Sequence, residues 1–387
     1  MNSTTKVSEK ETPKNVKVTK FEAVENHSKA VMGEFINDDG DRVKMFRSKN
    51  YNFNFNLENG KFARWGVTKE DDPKVAPYGP EILDLEISTI CHGINNKPCA
   101  HCYKSNTGVG DNMSFETFKT IFHKIPKTLT QIAFGIGDID SNPDMWKMFD
   151  YCQTNDYNTV VPNVTINGWN LTDEYADKLA NLCGAVAVSK YNPKDICYDA
   201  VKKLTDRGME QVNIHMLLAT ETLDTCFEVV DDMCNDPRLE KLNAIVFLYL
   251  KPKGKRNRLT ILNDVDKYRS LVDYCIEKNI RFGFDSCSAP MFLRSVKDRP
   301  NFKMFDMMAE SCESSCFSSY INTEGRYFHC SFTEGEDGWE GIDVVNCNDF
   351  LADIWYGPET LKFRNSLLTQ HHEISPSCRE CPVFKLY

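Results

Sequence analysis

Two groups of cysteines stand out among the sixteen in this chain of 387 residues. The first group is Cys91, Cys99 and Cys102, with the spacing C-x7-C-x2-C. The second group lies in the C-terminal part of the chain and consists of Cys312, Cys316, Cys330, Cys378 and Cys381. The N-terminus lacks the apolar segment of a secretion signal, so we expect a cytoplasmic protein with reduced thiols. Reduced cysteines at close spacing are candidate metal ligands.

Most of the other cysteines stand singly inside apolar segments. Small thiols in such positions pack like apolar side chains, and this is the more common role of an isolated cysteine. We therefore expect core packing for Cys152, Cys183, Cys197, Cys226, Cys234 and Cys275. Cys347 is assigned no role.

The first group has one thiolate fewer than a closed tetrahedral zinc site requires. One interpretation is a zinc site completed by His92 or His101. The other is a four-iron cluster in which three cysteines leave one iron open to a cofactor or a substrate. The spacing alone leaves both interpretations open.

Short apolar segments alternate with amphipathic helical segments from about residue 80 to 285. We predict strands at 81–88, 130–135, 160–166, 184–189, 211–218 and 243–249, with a seventh at 280–285. The first helix is predicted between an N-cap at Ser114 and a stop at Pro126. This alternation predicts an α/β fold with a parallel sheet, either a partial barrel or a doubly wound sheet. In both, the active site lies at the C-terminal ends of the strands, where the first cysteine group follows the first strand.

The segments on either side of this region have different patterns. Residues 1–30 are predicted to be a mobile tail. Residues 31–79 alternate in a strand-like way around Asp39-Gly40 and Asn59-Gly60 and predict a small antiparallel β cap. Residues 80–300 then form the core, and residues 301–387 form a small cysteine-rich α+β domain that depends on a metal for its stability.

The strand followed by three cysteines resembles the radical S-adenosylmethionine (SAM) superfamily. That family usually has three residues in the first gap where this chain has seven, and His101 takes the position before the last cysteine. FGIGD at 134–138 and TING at 165–168 are similar to two further motifs of the family. The resemblance implies a partial (β/α)6 TIM-like barrel. It also implies contacts to SAM from Gly135, Gly137, Asp138, Thr165, Asn167, Ser189 and Tyr103.

The same resemblance implies a reaction. Cys91, Cys99 and Cys102 would bind a [4Fe–4S] cluster whose open iron is chelated by SAM. One electron, from a donor such as flavodoxin or ferredoxin, would cleave SAM to methionine and a 5′-deoxyadenosyl radical. That radical would abstract a hydrogen atom from an unactivated C–H bond of the substrate.

The C-terminal cysteines resemble the twitch domain, the shorter relative of the SPASM domain. The pattern is C-x12-G-x4-C, with Gly325 in a predicted hairpin turn, followed later by C-x2-C. The resemblance implies one auxiliary Fe–S cluster, expected to be [4Fe–4S]. Its ligands would be Cys312, Cys330, Cys378 and Cys381, with Cys316 as the alternative to Cys312. A zinc ion on the same four thiolates is the competing interpretation.

The substrate is less clearly indicated than the chemistry. By resemblance, the first hypothesis is a peptide or protein side chain, and alcohol dehydrogenation of a small molecule is a further alternative. A nucleotide or nucleic acid is the second hypothesis because a basic segment follows the sixth strand, although the net charge of −10 argues against a general nucleic-acid binder. The basic residues of that segment are Lys251, Lys253, Lys255, Arg256 and Arg258. A non-catalytic zinc or Fe–S protein is the remaining class.

Three residues near the strand ends are weak candidates for substrate chemistry. Cys287 follows the seventh strand and would donate a hydrogen atom to a product radical only if it faced the cavity. His215 is expected to have a buried structural role, and Asp285 precedes Cys287. No apolar run is long enough to predict a membrane span.

Overall fold

The computed structural model describes residues 17–22, 29–369, 374–375 and 378–387. Two compact units divide at residue 77, so that the second unit covers residues 78–387. Residues 1–16 and 23–28 of the predicted tail lie outside the described residues. Over the described parts of the chain, no helix combines the length and the apolar character needed to cross a bilayer.

The first unit is a five-stranded antiparallel sheet in which each strand pairs with the next. Its strands are β1 (Lys17–Glu22), β2 (Lys29–Ile36), β3 (Arg42–Arg47), β4 (Asn52–Asn56) and β5 (Phe62–Trp65). Gly40 and Gly60 have φ angles of +89° and +73° in the two predicted turns, a conformation that glycine adopts without strain. The aromatic rings of Phe46 and Phe53 stack with centroids 5.7 Å apart.

The predicted tail is wrong for part of its length. Residues 17–22 form an edge strand paired with β2, and β2 itself begins at Lys29. An edge strand needs only a backbone partner on one side, so it can form without the long apolar periodicity whose absence suggested a tail.

The second unit is built on a ten-stranded sheet in the order β12-β11-β10-β9-β8-β7-β6-β13-β14-β15. Its first seven strands in sequence are β6 (Ile82–Glu86), β7 (Gln131–Gly135), β8 (Val161–Ile166), β9 (Ala185–Ser189), β10 (Val212–Leu218), β11 (Ala244–Tyr249) and β12 (Phe282–Phe284). Each pairs with its neighbour in parallel. All seven predicted strands are therefore present, and the α/β fold class is confirmed.

One α-helix lies in each of the six crossovers between these parallel strands. They are α1 (Phe115–Lys124), α2 (Met145–Thr154), α3 (Asp173–Leu182), α4 (Lys194–Thr205), α5 (Leu223–Asn235) and α6 (Val265–Glu277). In α1 the predicted cap is present, because Ser114 Oγ accepts from the backbone N–H of Thr117 at 3.1 Å. The apolar face of α1 is buried, and its Phe118 ring contacts Phe134 of β7.

Smaller elements complete this unit. The helices α7 (Ala289–Val296), α8 (Phe302–Met308) and α9 (Pro358–Thr369) follow the parallel strands. Three 3-10 turns occur at Thr220–Thr222, Pro237–Leu239 and Ser286–Ser288, and a π-helical turn at Phe350–Trp355.

The residues after 300 extend the core sheet. Strand β13 (Ser318–Ile321) pairs in parallel with β6, the first strand of the barrel. Strands β14 (Arg326–Phe328) and β15 (Ile342–Asp343) then add to it in antiparallel fashion. Gly325 has a φ angle of +77° in the predicted hairpin between β13 and β14. The cysteine-rich region is thus joined through β13 to the strand from which the first cysteine group emerges.

Five of the six cysteines predicted to pack in the core are buried: Cys152, Cys183, Cys197, Cys226 and Cys275. The prediction is wrong for Cys234, which is exposed. Cys234 lies in the last turn of α5, after the buried stripe of that helix has ended at Val230.

Asn142 holds together the two ends of the long loop that leaves β6. Its side-chain amide donates to the backbone carbonyls of Ile87 at 2.7 Å and Met113 at 2.9 Å, and its oxygen accepts from the N–H of Asp144. We expect Asn142→Ala to lower the free energy of unfolding by about 2–4 kcal/mol, because three buried hydrogen bonds are lost. Urea denaturation measures this.

The matched control is Asn235→Ala at an exposed position of α5, where the expected change is within about 0.5 kcal/mol. Equal stability of the two variants would contradict the role assigned to Asn142.

Candidate active site and metal centre

The first cysteine group lies on a closed loop, residues 88–112, at the C-terminal end of β6. We call it the cysteine loop. Isolated bridges join Ser88 to Asn112 and Ile90 to Thr107 across its base. The backbone N–H of Cys91 donates to the carbonyl of Thr107 at 2.7 Å. These contacts fix the start of the loop relative to its end.

The three thiols of the cysteine loop are near one another and partly buried. Cys91 interacts electrostatically with both Cys99 and Cys102. Burial, followed by the nearby Asp138 carboxylate, raises the pKa of the Cys91 thiol to about 12. A metal binds the thiolate, so metal binding must displace this proton.

The chemistry of these three thiols fits an iron–sulfur cluster. Cysteine thiolates are the usual ligands of such clusters, and the three partly buried thiols lie on one loop. A closed tetrahedral zinc site would need a fourth ligand. Within the described residues, no three His, Cys, Asp or Glu side chains converge as a mononuclear metal site requires.

Asp138 connects the cysteine loop to the segments that follow β7 and β8. Its Oδ2 accepts from the backbone N–H of His92 at 2.7 Å and lies 2.9 Å from His92 Nδ1. Its Oδ1 accepts from Asn167 Nδ2 at 3.2 Å and lies 3.7 Å from Cys91 Sγ. Three segments selected from the sequence as separate motifs therefore meet at one buried carboxylate.

Two glycines allow this close packing. A Cβ atom on Gly137 would lie 2.1 Å from the carbonyl oxygen of Ile90 and 2.4 Å from Cys91 Cβ. A Cβ atom on Gly254 would lie 2.4 Å from the carbonyl oxygen of Cys102. The backbone on both sides of the cysteine loop approaches too closely for any side chain. This close approach of the backbone explains why the sequence motif has a glycine at position 137.

The remaining residues predicted to contact SAM surround the same edge of the sheet. Gly135 lies opposite Thr165 in the register of β7 and β8. Ser189 lies opposite His215 in the register of β9 and β10, and its hydroxyl acts on the nearby Tyr191 hydroxyl. Tyr191 in turn interacts with the Cys99 thiol, a link that the sequence analysis missed.

Tyr103 points toward the C-terminal cysteines. Its ring packs on Phe332 with centroids 4.5 Å apart, and its hydroxyl interacts with the nearby Ser331. Burial raises the pKa of Tyr103 well above its usual range. Tyr103 follows Cys102 directly, and Phe332 lies two residues after Cys330, so this ring contact joins the two cysteine groups.

A buried charge network lies next to the cysteine loop. Lys104 donates to the Tyr320 hydroxyl at 2.8 Å, lies 3.2 Å from Glu86 and forms an ion pair with Glu334. The Tyr320 hydroxyl is 3.0 Å from an oxygen of each carboxylate, and Asn322 donates to Glu334 at 2.9 Å. The sequence analysis missed this network because its bonded pairs are 12 to 234 residues apart along the chain.

Asp84 and His215 are buried ionisable groups on the barrel strands. Burial raises the pKa of Asp84 to about 6. Burial lowers the pKa of His215 to about 4, with Asp285 acting in the opposite direction. Near neutral pH this lowered pKa keeps His215 uncharged.

The basic segment 251–258 is largely occupied by contacts within the protein. Lys251 forms an ion pair with Asp285, and Lys253 donates to the carbonyls of Phe332 and Glu334. Arg256 donates to backbone carbonyls of the cysteine loop at Cys99, Ser105 and Asn106. Only two of its five basic side chains are exposed: Lys255 and Arg258.

The second cysteine group is only partly brought together. Cys312, Cys330 and Cys381 interact electrostatically with one another. Cys316 is fully buried, with Arg379 and Arg364 as the charged groups that act on it most strongly. Cys312 also acts on Cys316. The charged groups that act most strongly on the Cys378 thiol are Asp306, Glu380 and Arg294, and Cys378 itself acts on Tyr387, as Cys287 and Cys381 do.

Solved structures with this fold were found by structural comparison. SuiB from Streptococcus suis bound to S-adenosylmethionine aligns with a TM-score of 0.60 at 14% identity, over 80% of this chain and 78% of that chain. SuiB bound to its precursor peptide SuiA aligns with a TM-score of 0.60 at 14% identity, over 76% and 69%. The protein anSMEcpe with bound AdoMet and the Cp18Cys peptide aligns with a TM-score of 0.54 at 13% identity, over 74% and 84%.

The chain shares its fold with these solved structures, of which the first contains S-adenosylmethionine and the last AdoMet. The partial barrel predicted from the sequence is thereby confirmed. No family model matches the sequence, and no curated protein matches it. At this low identity the similarity establishes the fold alone. The functional site is defined by the residues of this chain.

The packing of Gly137 against the cysteine loop leads to a test. We expect Gly137→Ala to push the loop away from Asp138, because the added methyl overlaps the backbone at Ile90. The N–H of His92 then loses its acceptor, and its hydrogen exchange becomes at least tenfold faster. Hydrogen–deuterium exchange of peptides covering residues 88–112 measures this without any metal.

Gly283→Ala is the matched control, because a Cβ atom at Gly283 meets nothing within 4 Å. Protection of the loop in Gly137→Ala equal to that in the control would show that the loop is not held in this way.

Proposed function

We propose that this chain is a radical SAM enzyme. The observation that carries the proposal is the closed loop bearing Cys91, Cys99 and Cys102 at the C-terminal end of the first barrel strand, anchored by Asp138. The shared fold with SAM-bound structures supports it. When bound, a [4Fe–4S] cluster would supply the electron that cleaves SAM to methionine and a 5′-deoxyadenosyl radical, which abstracts hydrogen from the substrate.

The residues of the chain have separate tasks in this proposal. The three thiols lose their protons and hold the cluster, while Asp138 and Asn167 keep the loop in position. Gly135, Gly137, Thr165, Ser189 and Tyr103 line the edge of the sheet where we infer that SAM binds. Asp138 already accepts hydrogen bonds from His92 and Asn167, so its role toward SAM would be to position the loop as well as to face the ammonium group.

We infer that the second cysteine group holds an auxiliary cluster, expected to be [4Fe–4S]. Its thiols are partly or fully buried and electrostatically coupled, and they come from segments far apart in sequence. A flavodoxin or ferredoxin would supply the electron that is used to cleave SAM. Free thiols in this number persist in a reducing compartment, which favours the cytoplasm.

A peptide or protein side chain is the substrate class that we propose. SuiB has been solved with its precursor peptide and anSMEcpe with a peptide, and this supports the proposal by similarity of fold. An open cavity of about 480 Å³ lies beside the second cysteine group and could receive an extended segment. Its lining is acidic and aromatic: Gly335, Glu336, Asp337, Trp339, Pro382 and Val383.

A nucleotide or nucleic acid is the second candidate. Its support was the basic segment 251–258, of which Lys251, Lys253 and Arg256 are bound to carboxylates or carbonyls of the protein. Two exposed cations on a chain of net charge −10 are a weak basis for binding a phosphate backbone. Dehydrogenation of a small alcohol remains a further alternative within the same chemistry.

Anaerobic reconstitution with iron and sulfide tests the enzyme class. We expect about eight irons per chain and release of 5′-deoxyadenosine when dithionite and SAM are added. The variant Cys91→Ala/Cys99→Ala/Cys102→Ala should retain about four irons and release none of the nucleoside. Iron assay and chromatography of the products measure these quantities.

Cys234→Ala is the control, because it removes an exposed thiol far along the chain from either group. Undiminished SAM cleavage by the triple variant, or absence of cleavage by the wild-type chain, would refute the proposal.

Binding of short single-stranded DNA and RNA separates the two substrate classes. If the substrate is a peptide, we expect weak binding that is the same in the wild-type chain and in Lys255→Ala/Arg258→Ala. Fluorescence anisotropy between about 50 and 200 mM salt measures it, because phosphate contacts make affinity fall steeply with salt. Tight, salt-sensitive binding that the double variant loses would favour the nucleic-acid class.

A further inference from the structure

We propose that Cys287 is a ligand of the auxiliary cluster, in the position that the spacing of the C-terminal motif would give to Cys378. The inference rests on the auxiliary cluster of the proposed function. It concerns which four thiols hold that cluster, and it replaces one member of the C-x-x-C pair by a residue on a different element of the fold.

The position of Cys287 places it under the C-terminal segment. Cys287 lies in the turn Ser286–Ser288, directly after β12, at the C-terminal edge of the parallel sheet. Its carbonyl accepts from the hydroxyl of Tyr387 at 2.5 Å. The Tyr387 ring stacks on Tyr249, and the Arg294 guanidinium lies 5.4 Å from its centroid. The segment 381–387, which begins with Cys381, is thus anchored on the turn that carries Cys287.

A second contact links Cys287 to the segment that carries Cys330. The Lys251 ammonium group forms an ion pair with Asp285 and interacts electrostatically with the Cys287 thiol. The same ammonium group lies 4.9 Å from the centroid of the Phe332 ring. Because Phe332 is two residues after Cys330, the thiol of Cys287 lies between the segments that supply Cys330 and Cys381.

The electrostatic contacts among the thiols give the same grouping. Cys287 interacts with Cys312 and Cys330, Cys330 interacts with Cys312 and Cys381, and Cys312 interacts with Cys381. Five of the six possible pairs among these four thiols are therefore coupled. Four thiolates on one small cluster require this pattern, in which each is near the others.

Cys378 has different neighbours. Its side chain is 2% exposed, and its electrostatic partners are carboxylates and a guanidinium group: Asp306 of α8, Glu380 and Arg294 of α7. Between it and Cys381, Arg379 donates to the carbonyl of Cys312 at 3.0 Å. Cys378 therefore has charged groups of α7 and α8 beside it, and Tyr387 lies near Cys378 as well as near Cys287 and Cys381. Cys381 is the member of the pair that acts on Cys312 and Cys330.

The assignment has a chemical consequence for Cys287 and its neighbours. A thiolate bound to iron has no S–H, so Cys287 could not also donate a hydrogen atom to a product radical. Lys251 would then be a cation beside a cluster thiolate, where it stabilises negative charge, and Asp285 would hold it in place. The short turn after β12 becomes part of the metal site.

The test uses full-length protein in which Cys91, Cys99 and Cys102 are alanine, so that only the auxiliary cluster is present. Cys287→Ala or Cys378→Ala is added, and each protein is reconstituted anaerobically. We expect Cys378→Ala to retain about four irons and four sulfides per chain. Cys287→Ala should lose the cluster or retain a three-iron form, as detected by iron assay and Mössbauer spectroscopy.

Cys287→Ser keeps the inference falsifiable if the alanine variant does not fold. Serine has nearly the size of cysteine but ligates through oxygen, so we expect shifted g values in the electron paramagnetic resonance spectrum of the reduced cluster. Circular dichroism checks folding of each variant. An unchanged four-iron spectrum in either Cys287 variant would overturn the inference, and so would loss of the cluster in Cys378→Ala with retention in Cys287→Ala.

The result is independent of SAM cleavage, because the SAM-binding cysteines are absent from these proteins. If the proposed enzyme class is wrong, the wild-type chain will release no 5′-deoxyadenosine. A background variant that binds no iron would overturn both the auxiliary cluster and the assignment of Cys287.

Discussion

The buried carboxylate of Asp138 is the interaction on which the candidate site depends. It joins the cysteine loop, through His92, to the segments after β7 and β8, the latter through Asn167. A carboxylate removed from water costs free energy unless donors surround it, and here the donors come from the segments that must be held together. The requirement to satisfy this charge therefore fixes the position of Cys91. The anchoring of Cys91 by Asp138 matters more because seven residues separate Cys91 from Cys99, and a longer loop has more conformations to lose on folding.

A second set of charges joins the two cysteine groups. Lys104 of the cysteine loop pairs with Glu334, four residues after Cys330, and Tyr103 packs on Phe332 in the same segment. The basic segment 251–258 adds contacts to both sides. Lys251 and Lys253 pair with carboxylates and Arg256 donates to backbone carbonyls. The exposed basic surface of this segment is therefore limited to Lys255 and Arg258. The basic segment 251–258 mainly holds the cysteine loop and the segment after Cys330 in position.

The pairing of β13 with β6 gives this arrangement its rigidity. The first cysteine group leaves the C-terminal end of β6, and the second group begins just before β13, which lies beside β6 in the same sheet. The cysteine-rich region is therefore an extension of the barrel sheet. Its hairpin turn at Gly325 returns the chain toward the thiols. A short distance between two metal centres would follow directly from this strand order.

The sequence by itself determined the elements and the principal candidate ligands. Strand and helix periodicity, the Ser114 cap and the Gly325 turn are local properties, and local sequence carries them. Only the tertiary structure decided what depends on distant contacts: the pairing of residues 17–22 with β2, the ion pair of Lys104 with Glu334, and the contact between the turn that carries Cys287 and the C-terminal Tyr387. Spacing along the chain measures separation in sequence, whereas a ligand or an ion pair is selected by distance in space. Only the folded structure shows which residues that are distant in sequence are close in space.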